Sequence, residues 1–517
     1  MKIYTIYLPA DSAARSVGAD LIAEQIEREA LFRKIHVTVV RTGSRGAHWL
    51  EPLIEVDTQA GRIAYGPVGY TDVVGLFDAE FYDGGSHPLA LGLTEEIEWL
   101  ANQDRVTFAR VGIIDPFSLP DYEAHGGLVG LRNALSMSSS EIVEVVTESG
   151  LRGRGGAGFP AGIKWKTVAQ TPSEKKYICC NADEGDSGTF ADRALMEGDP
   201  FTLIEGMLIA ALAVCANEGV IYIRSEYPDA IQKMQRAIDI ARKRGILGKN
   251  VLGSEHEFEI RIREGAGSYV CGEETAMLES IEGKRGVVRS KPPLPAIAGL
   301  FGKPTVVNNV LTLASVPAIL AQGAAEYRRR GVDRSYGTQV FQLAGNIKRG
   351  GIVELSFGVT LETLVNGYGA GTRTGRPVKA VQIGGPLGAY LPTSSFGVSM
   401  DYESLLAVGG MLGHGGVVVF DDSVDMVEQA KFAMEFCAEE SCGKCTPCRL
   451  GSTRGAELLT LISKGVDIDG SKKILLDLCE VMTDGSLCAM GGLTPLPVKS
   501  AMLHFVEDFA AKNGELR

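Results

Sequence analysis

Three cysteines, Cys442, Cys445 and Cys448, follow a Cys-x-x-Cys-x-x-Cys spacing. Thiolates at this spacing can surround one side of an inorganic centre, and iron–sulfur clusters are held by four cysteines. All ten cysteines lie after residue 178, six of them from position 437 to 488, and no secretory signal is predicted. This clustering favours metal ligation over disulfides. The motif therefore predicts an iron–sulfur cluster, with structural zinc as the alternative.

The fourth thiolate must come from outside the motif, and three cysteines are candidates. Cys437 and Cys479 lie in apolar segments, where a cysteine usually packs as a small hydrophobic residue. Cys437 would also complete the opening of a plant-type [2Fe–2S] pattern with Cys442 and Cys445. Cys488 follows a polar loop, which suits a ligand better.

A glycine-rich stretch, Leu151-Arg-Gly-Arg-Gly-Gly-Ala-Gly-Phe-Pro-Ala-Gly-Ile-Lys-Trp165, is the second chemical feature. Its glycines leave backbone N–H groups free to approach an anion closely. Arg152, Arg154 and Lys164 add positive charge at the rim, as a phosphate or pyrophosphate would require. A mobile surface loop is the alternative, but three cations, a Phe-Pro pair and a tryptophan disfavour it.

The same stretch contains Gly153-x-Gly155-x-x-Gly158, which formally matches the dinucleotide fingerprint. That fingerprint requires a strand before it and a helix after it. The preceding segment instead has a capping box, Ser138 with Glu141, and apolar residues at helical spacing. We therefore predict a helix followed by a nucleotide-binding loop that differs from the Rossmann type.

Acidic and amide side chains form three further candidate groups. They lie in the turn Asn181-Ala-Asp183-Glu184-Gly-Asp186, in the glycine loop with Tyr269, Gly272, Glu273 and Glu274, and in a segment with Asn308, Asn309 and Thr312. The carboxylates of the turn can bind ribose hydroxyls or the polar edge of a flavin, and a calcium loop would need a different spacing. The glutamate pair could simply complement a helix dipole, and the two asparagines could be a helix cap.

The elements that must position these groups divide the chain into four regions: residues 1–85, 86–330, 331–420 and 421–517. The predicted strands cover residues 3–8, 35–41, 52–56, 62–65, 176–181, 220–224, 257–263, 337–343, 351–355 and 380–384. The predicted helices cover residues 12–34, 71–77, 138–150, 200–217, 227–244 and 360–366, with more helices in 88–137 and after residue 424. The strand–helix alternation of the second region indicates a parallel sheet that binds ligands at the carboxyl ends of its strands.

Composition limits the classes of function. The chain has 517 residues, 64 glycines and a formal net charge of −13. Its length predicts about three or four domains. The acidic balance argues against a nucleic-acid partner or an anionic membrane surface. The longest apolar run, residues 206–216, is too short for a bilayer and predicts a buried helix, so we expect a soluble, cytoplasmic protein.

Several motifs together resemble one known family. In chain order they are the loop 152–164, Asn181-Ala-Asp-Glu184, Gly267-Ser-Tyr-Val-Cys-Gly-Glu-Glu274, Lys291-Pro-Pro-Leu-Pro-Ala296, Pro304-Thr-Val-Val-Asn-Asn309 and Ser441-Cys-Gly-Lys-Cys-Thr-Pro-Cys-Arg449. The chain resembles, over roughly residues 90–500, the NADH-binding flavoprotein subunit of respiratory complex I. Relatives of that subunit include the diaphorase subunits of NAD-reducing hydrogenases and of NAD-dependent, molybdenum-containing formate dehydrogenases.

The resemblance implies an α/β multidomain fold. It consists of a thioredoxin-like N-terminal module without cluster cysteines (1–85), a parallel α/β domain binding FMN and NAD (86–330), a ubiquitin-like (SLBB) β-grasp module (331–420) and a C-terminal helical bundle with the Fe–S cluster (421–517). Because the first module contains no cysteine, it cannot hold a thiolate-bound cluster, and we expect it to serve as a docking surface.

The resemblance also implies cofactors and their ligands. FMN would lie on Gly153, Gly155, Gly156 and Lys164, with Asn181, Asp183 and Tyr269 near its ring and Asn308, Asn309 and Thr312 at its phosphate end. NADH would stack over the flavin beside Phe159, Lys164, Glu184 and Glu274. Further cofactor-binding candidates are Arg154, Asp186, Gly272 and Glu273. A [4Fe–4S] cluster would be held by Cys442, Cys445, Cys448 and Cys488.

The N-terminal extension, together with the segments 41–46 and 50–56, looks most like the β subunit of the formate dehydrogenase. This implies a small thioredoxin-like [2Fe–2S] subunit and a large molybdenum and Fe–S catalytic subunit (formate dehydrogenase α) as partners. Asp186 and Leu294 depart from the glutamate and phenylalanine common in complex I relatives, which bears on nucleotide affinity. The alternatives are a hydrogenase or complex I subunit and, from another class, a non-redox scaffold that lost its cofactors.

Overall fold

A computed structural model describes residues 2–510. Four sheets occur in this part of the chain, three of them with four or five strands, and helices make up its C-terminal end. The protein is therefore a mixed α/β multidomain chain with a parallel sheet and a helical C-terminal region that carries the cysteine motif.

The first region forms a five-stranded sheet in the order β2-β1-β3-β4-β5, in which only the β1–β2 pair is parallel. Its elements are β1 (Tyr4–Pro9), α1 (Ser12–Ser16), α2 (Ala19–Arg33), β2 (Val37–Thr42), β3 (Ile54–Thr58), β4 (Gly61–Tyr65), α3 (Asp72–Asp78) and β5 (Ala90–Leu93). The helix predicted over 12–34 is divided, because Gly18 adopts a left-handed φ of 100°. Strand β5 lies beyond residue 85. It was not predicted, because Ala-Leu-Gly-Leu is too short to show an alternating pattern.

This first sheet is tied to the next region by polar contacts. The Ser12 N–H and hydroxyl both donate to the buried Glu197 carboxylate, over 2.6 and 2.5 Å. Arg15 pairs with Asp229 at 2.6 Å. The two regions therefore pack as neighbours with fixed contacts.

Beyond β5, the second region contains twelve α-helices and four strands among the described residues. The helices are α4 (Glu98–Ala101), α5 (Leu119–Ala124), α6 (Val129–Leu135), α7 (Ser139–Glu148), α8 (Ala161–Gln170), α9 (Ala191–Gly198), α10 (Pro200–Val214), α11 (Pro228–Lys243), α12 (Glu274–Ile281), α13 (Pro295–Ala298), α14 (Val310–Gln322) and α15 (Ala324–Arg328). The strands are β6 (Tyr177–Ala182), β7 (Glu218–Arg224), β8 (Glu259–Gly265) and β9 (Thr305–Asn309). Helix α10 is buried on all sides, as its continuous apolar sequence predicts.

The four strands form a parallel sheet in the order β8-β7-β6-β9. Strand β9 was not predicted, because its Thr-Val-Val run is short and is followed by two asparagines, which are uncommon in strands. It lies beside β6, with Asn181 opposite Asn309. The two asparagines therefore meet at the carboxyl edge of the sheet, where α/β sheets bind ligands.

The third region forms a sheet in the order β13-β12-β16-β14-β15, with β12 and β16 parallel at its centre. Its elements are β10 (Gly331–Val332), β11 (Ser335–Tyr336), β12 (Thr338–Gly345), β13 (Gly351–Ser356), β14 (Val378–Ile383), β15 (Ala389–Pro392), α16 (Tyr402–Ala407) and β16 (Gly416–Asp421). The helix predicted over 360–366 is a π-helix at Thr363–Tyr368. Strands β15 and β16, which follow glycines, were not predicted.

The C-terminal region packs five helices around the cysteine motif. They are α17 (Met426–Glu440), α18 (Thr446–Ser463), α19 (Ile468–Gly485), α20 (Ala489–Leu493) and α21 (Pro495–His504). No helix within residues 2–510 has the length and apolar character needed to cross a membrane.

Candidate functional site

The glycine-rich loop between α7 and α8 folds back on itself. The Gly153 N–H donates to the Phe159 carbonyl, and the Ala161 N–H donates to the Leu151 carbonyl, both over 2.9 Å. A helix with the expected capping box precedes the loop, so the order helix, loop, helix is confirmed and the Rossmann order is absent here. Phe159 remains about half exposed at 51%.

Two neighbouring glycines of this loop have different surroundings. A Cβ on Gly155 would lie 2.8 Å from Cβ of Asn309, so this glycine allows close packing of the loop on the end of β9. Gly156 has a φ of +115° and pairs with the backbone of Gly413. Apart from its chain neighbours, no atom of the described residues lies closer than 4.0 Å to the position of a Cβ. The loop therefore leaves an open side at Gly156, which fits close approach by a ligand.

The Arg154 side chain is not at the rim of the loop, where the sequence placed it. It is 2% exposed, and its guanidinium donates to the Tyr327 hydroxyl and to the Thr338 and Tyr336 carbonyls over 2.8 to 3.1 Å. The Arg154 backbone N–H donates to the Thr312 hydroxyl over 2.8 Å. The charge of Arg154 therefore stabilises the packing of the loop, and the second rim arginine is likewise engaged, because Arg152 pairs with Glu403 at 2.7 Å.

Side chains at the end of β9 hold the helix that follows the loop. Trp165 Nε1 donates to Asn308 Oδ1, and Lys164 Nζ donates to the Val307 carbonyl, each over 2.8 Å. Asn309 caps α14, since its Oδ1 accepts from the Thr312 N–H over 3.0 Å. The predicted candidates of the loop and of β9 are thus brought together, but their side chains mostly contact one another.

The acidic turn after β6 separates into groups with different roles. Asn181 donates to the Gly272 carbonyl over 2.7 Å and joins the turn to the second glycine loop. Asp183 is buried, and within residues 2–510 its carboxylate accepts no hydrogen bond. Burial raises the pKa of Asp183 to about 7. Asp186 accepts from the Tyr269 hydroxyl over 2.8 Å.

Glu184, a predicted contact of NADH, is buried in the structure. Its carboxylate is buried and accepts the N–H groups of Asp192 and Arg193, at the start of α9, over 2.9 and 3.0 Å. Burial, and secondarily the charge of Asp192, raise its pKa to about 7. Glu184 therefore caps the start of α9.

A buried histidine completes this acidic group. His414 Nε2 lies 3.1 Å from Asp192 Oδ1, and the two carboxylates of Glu184 and Asp192 surround it. Burial alone would lower the pKa of His414, but Asp192 and then Glu184 and Asp186 outweigh it and raise the pKa to about 9. Asp192 also accepts from the Asn309 amide over 2.9 Å. Sequence analysis missed Asp192 and His414, because they lie 222 positions apart and no local pattern joins them.

The two glutamates at the start of α12, Glu273 and Glu274, have different roles. Glu273 accepts from the N–H groups of Thr275 and Ala276 over 2.8 and 2.9 Å and is a helix cap. Glu274 lies partly exposed, 2.8 Å from Lys291 Nζ and 3.6 Å from Lys164 Nζ. Burial opposes ionisation of Glu274, but these two lysines keep its pKa below the ordinary value. Glu274 and the lysines thus form an open charged group beside the glycine loop.

The cysteine motif lies at the junction of three helices. Cys445 precedes the first residue of α18, Cys448 lies in its first turn, and Cys488 precedes the first residue of α20. Cys437 and Cys479 are fully buried in α17 and α19, as predicted.

The spacing of the sulfurs distinguishes a cluster from zinc. In a tetrahedral site with Zn–S bonds of about 2.3 Å the sulfurs lie within about 4 Å of one another. No three of the cysteine sulfurs in the described residues lie within 4.8 Å of one another. The buried Ser486 hydroxyl beside Cys448 has no hydrogen-bond partner among residues 2–510. A cluster with acceptor sulfides fits both observations, and zinc does not.

A glycine loop at the edge of a parallel sheet and a cysteine motif at a helix junction are the arrangement expected of an electron-transfer flavoprotein with an iron–sulfur centre. Comparison with known proteins agrees. Residues 146–318 match the Nuo51 FMN-binding domain, and residues 428–512 match the NADH-ubiquinone oxidoreductase-F iron-sulfur binding region.

Individual relatives cover most of the chain. An NADH-quinone oxidoreductase subunit of Rhizobium meliloti (strain 1021) is 47% identical over 413 residues, which are 80% of this chain and 98% of that protein. The HndC subunit of the NADP-reducing hydrogenase of Solidesulfovibrio fructosivorans is 46% identical over 409 residues, 79% of this chain and 83% of that protein. A chain of an NAD+-reducing [NiFe]-hydrogenase in the air-oxidised state superposes with a TM-score of 0.68 at 28% identity, covering 98% of this chain and 84% of that chain.

The chain therefore belongs to the family of NADH-binding flavoprotein subunits, whose members include subunits of NADH-quinone oxidoreductases. It is an NAD-dependent oxidoreductase subunit whose cofactors are FMN, NAD(H) and a [4Fe–4S] cluster. The non-redox scaffold has no support from these matches.

Proposed function

We propose that the chain is a diaphorase subunit in which the cradle formed by the loop 151–161 and the carboxyl edge of the parallel sheet holds FMN against NAD(H). When bound, FMN exchanges a hydride with the nicotinamide and single electrons with the [4Fe–4S] cluster. The observation that carries the proposal is the open side at Gly156 together with the partly exposed Lys164–Glu274–Lys291 group, in which Lys164 belongs to the helix that directly follows the loop. It offers a ligand backbone N–H groups on one side and a charged, polar contact on the other.

The residues of the cradle have distinct proposed roles. Gly153, Gly155 and Gly156 supply close backbone approach, and Lys164 supplies a cation. Phe159 supplies an exposed aromatic ring for the nicotinamide nucleotide. Glu274 is the carboxylate we assign to the nucleotide.

Other candidates act through the protein. Arg154, Glu184, Glu273, Asn309 and Thr312 fix the loop and the helix starts around the cradle through the contacts described above. Asn181, Asp183, Gly272, Asn308, Asp186 and Tyr269 line its sheet edge. The buried Asp183 has a raised pKa, which suits it to hydrogen-bond with a polar ring edge.

We assign the cluster to Cys442, Cys445, Cys448 and Cys488. All four border the junction of α17, α18 and α20, and the Ser486 hydroxyl adds a donor with no protein partner. Cys437 and Cys479 lie within helices and are left outside the ligand set.

The modules of the chain are also assigned. The strand order and pairing of the first sheet support a thioredoxin-like module without cluster cysteines, extended from residue 85 to include β5. The five-stranded sheet of residues 331–420, with a parallel central pair, supports a ubiquitin-like (SLBB) β-grasp module. Residues 421–517 form the cluster domain.

For the source of electrons, we propose formate oxidation in a large molybdenum and Fe–S partner (formate dehydrogenase α), with a small thioredoxin-like [2Fe–2S] subunit between them, in the cytoplasm. The N-terminal extension and the segments 41–46 and 50–56 support this assignment. The second candidate is a subunit of an NAD-reducing hydrogenase or of complex I, favoured by the similarity to the hydrogenase and quinone oxidoreductase subunits.

Two experiments test these assignments. An anaerobically purified chain should show flavin and iron–sulfur absorption and NADH:ferricyanide reductase activity without any partner. A chain that lacks flavin would contradict the cradle. Co-purified partner subunits should contain molybdenum and reduce NAD+ with formate, whereas nickel in the complex, or NADH-dependent quinone reduction, would favour the second candidate.

A further inference from the structure

Cys437 occupies a position that packing alone does not explain. It lies in the last turn of α17 and is fully buried. Its sulfur lies 3.7 Å from the sulfur of Cys448, in the first turn of α18. The Ser441 hydroxyl approaches the same Cys448 sulfur at 3.2 Å. Cys448 therefore has two polar hydrogen atoms within reach.

The direction of the sulfur contact follows from ligation. A cysteine ligand of an iron–sulfur cluster is a thiolate and has no proton to donate. If Cys448 is a ligand, as proposed above, it can only accept, and Cys437 must be the donor. Two thiolate ligands separated by 3.7 Å would bind one metal atom, whereas each iron of a [4Fe–4S] cluster takes one cysteine. Cys437 and Cys448 cannot both be ligands of the cluster.

We propose that Cys437 is a tuning residue whose S–H donates a hydrogen bond to the ligating Cys448 thiolate and thereby raises the reduction potential of the [4Fe–4S] cluster. Hydrogen bonds to the sulfurs of a cluster are among the factors that set its potential, because they stabilise the more negative, reduced state. The contact is shielded from water, so solvent does not compete for the sulfur. The proposal rests on the proposed assignment of Cys448 to the cluster.

The test uses the full chain with its cofactors, and its readout is the midpoint potential of the cluster in an EPR-monitored redox titration. Cys437→Ala removes the donor and should shift the potential to a more negative value while the cluster remains at full occupancy. Cys437→Ser retains a hydroxyl donor and should keep the potential closer to that of the unmodified chain. Cys479→Ala is the matched control, because Cys479 is equally buried in the same core and no hydrogen bond within residues 2–510 involves its sulfur.

Each result is decisive. A potential in Cys437→Ala equal to that of the Cys479→Ala control would overturn the tuning role. Loss of the cluster in Cys437→Ala, with retention in Cys448→Ser, would make Cys437 the ligand and overturn both this proposal and the ligand assignment. Loss of the cluster in Cys448→Ser alone supports the assignment, so the two failures remain distinguishable.

Discussion

The backbone N–H of Tyr269 donates a hydrogen bond to the carboxylate of Glu440 over 2.9 Å. Glu440 is the last residue of α17 and directly precedes the segment with the cysteine motif. The rings of Tyr269 and of Phe436 on the same helix also pack edge to face, with centroids 4.8 Å apart. One residue of the second glycine loop therefore holds the helix that leads to the cluster against the sheet edge that we assign to the flavin.

The Glu274→Gln substitution should raise the NADH KM by up to about tenfold, because one charge-assisted hydrogen bond is worth roughly 1.5 kcal/mol more than a neutral contact. FMN and the cluster should be retained. NADH:ferricyanide reductase activity of the isolated chain measures this. Glu279→Gln is the control, since Glu279 lies on the same helix and pairs with Arg289 at 2.5 Å. An unchanged KM in Glu274→Gln would place the nucleotide elsewhere.

The Gly156→Ala substitution should give a folded chain that has lost most of its FMN. The new methyl group meets no protein atom within 4.0 Å, so it would occupy the space left for the ligand. Gly18→Ala imposes a similar backbone strain, at a φ of +100°, where nothing lies within 4 Å, and should keep its FMN. The flavin-to-protein ratio of both variants is the measurement, and equal flavin content would refute the cradle.

The Arg154→Met substitution should destabilise the chain by about 3 kcal/mol or more, because it leaves the buried Tyr327 hydroxyl and the buried Thr338 carbonyl without their donor. Chemical denaturation monitored by tryptophan fluorescence can measure the change, since Trp165 lies on the neighbouring helix. Arg261→Met is the control, because Arg261 is largely exposed and pairs with Glu218 at the surface. Equal stability of the two variants would contradict the packing role of Arg154.

The Cys488→Ser substitution should remove the EPR signal of the [4Fe–4S] cluster. Cys488 precedes the first residue of α20, and the other thiol at this junction, Cys437, lies 3.7 Å from the Cys448 sulfur, too close to ligate a different iron. Cys479→Ser should leave the signal intact, since Cys479 is buried within α19. The reverse pattern would show that the fourth ligand comes from α19.

His414 should make the chain less stable as the pH rises from about 6.5 to 9. Its pKa is raised from 6.5 to about 9 in the folded chain, so its stabilising effect is complete below 6.5 and is lost as pH increases through 9. The Tm of the purified chain should therefore fall over this window, and the fall should be shallower in His414→Gln. Parallel Tm curves for both proteins would contradict an ionised His414.

Part of the fold could be predicted from the sequence, because several helices and strands show a regular periodicity of apolar residues. The capping box of α7 and the apolar run of α10 predicted their helices well. Strands β5 and β9 were not predicted, because each has only four or five residues, and the glycine in β5 and the asparagines in β9 interrupt the alternation of apolar and polar residues. Parallel pairing brings Asn181 beside Asn309, and no local pattern contains that contact.

The residue types of the candidate site could be predicted from the sequence, but the directions in which several of their side chains point could not. The sequence indicates that Arg154 is a surface cation among glycines. In the structure, its guanidinium instead donates to buried acceptors of Tyr327 and Thr338, which lie far away in the sequence. The sequence groups Glu184 with the ligand-binding candidates of the acidic turn. In the structure, its carboxylate accepts two N–H groups at the start of α9. These directions depend on tertiary contacts, which the spacing of residues does not encode.

The pairing of Gly156 with Gly413 has a consequence for biosynthesis. A ribosome adds roughly 5–20 residues each second, and domains fold as their sequence emerges. The glycine loop leaves the exit tunnel long before Gly413 has been translated, so one wall of the cradle is missing throughout that interval. Flavin insertion therefore follows translation of Gly413, and nascent chains stalled earlier should contain no flavin.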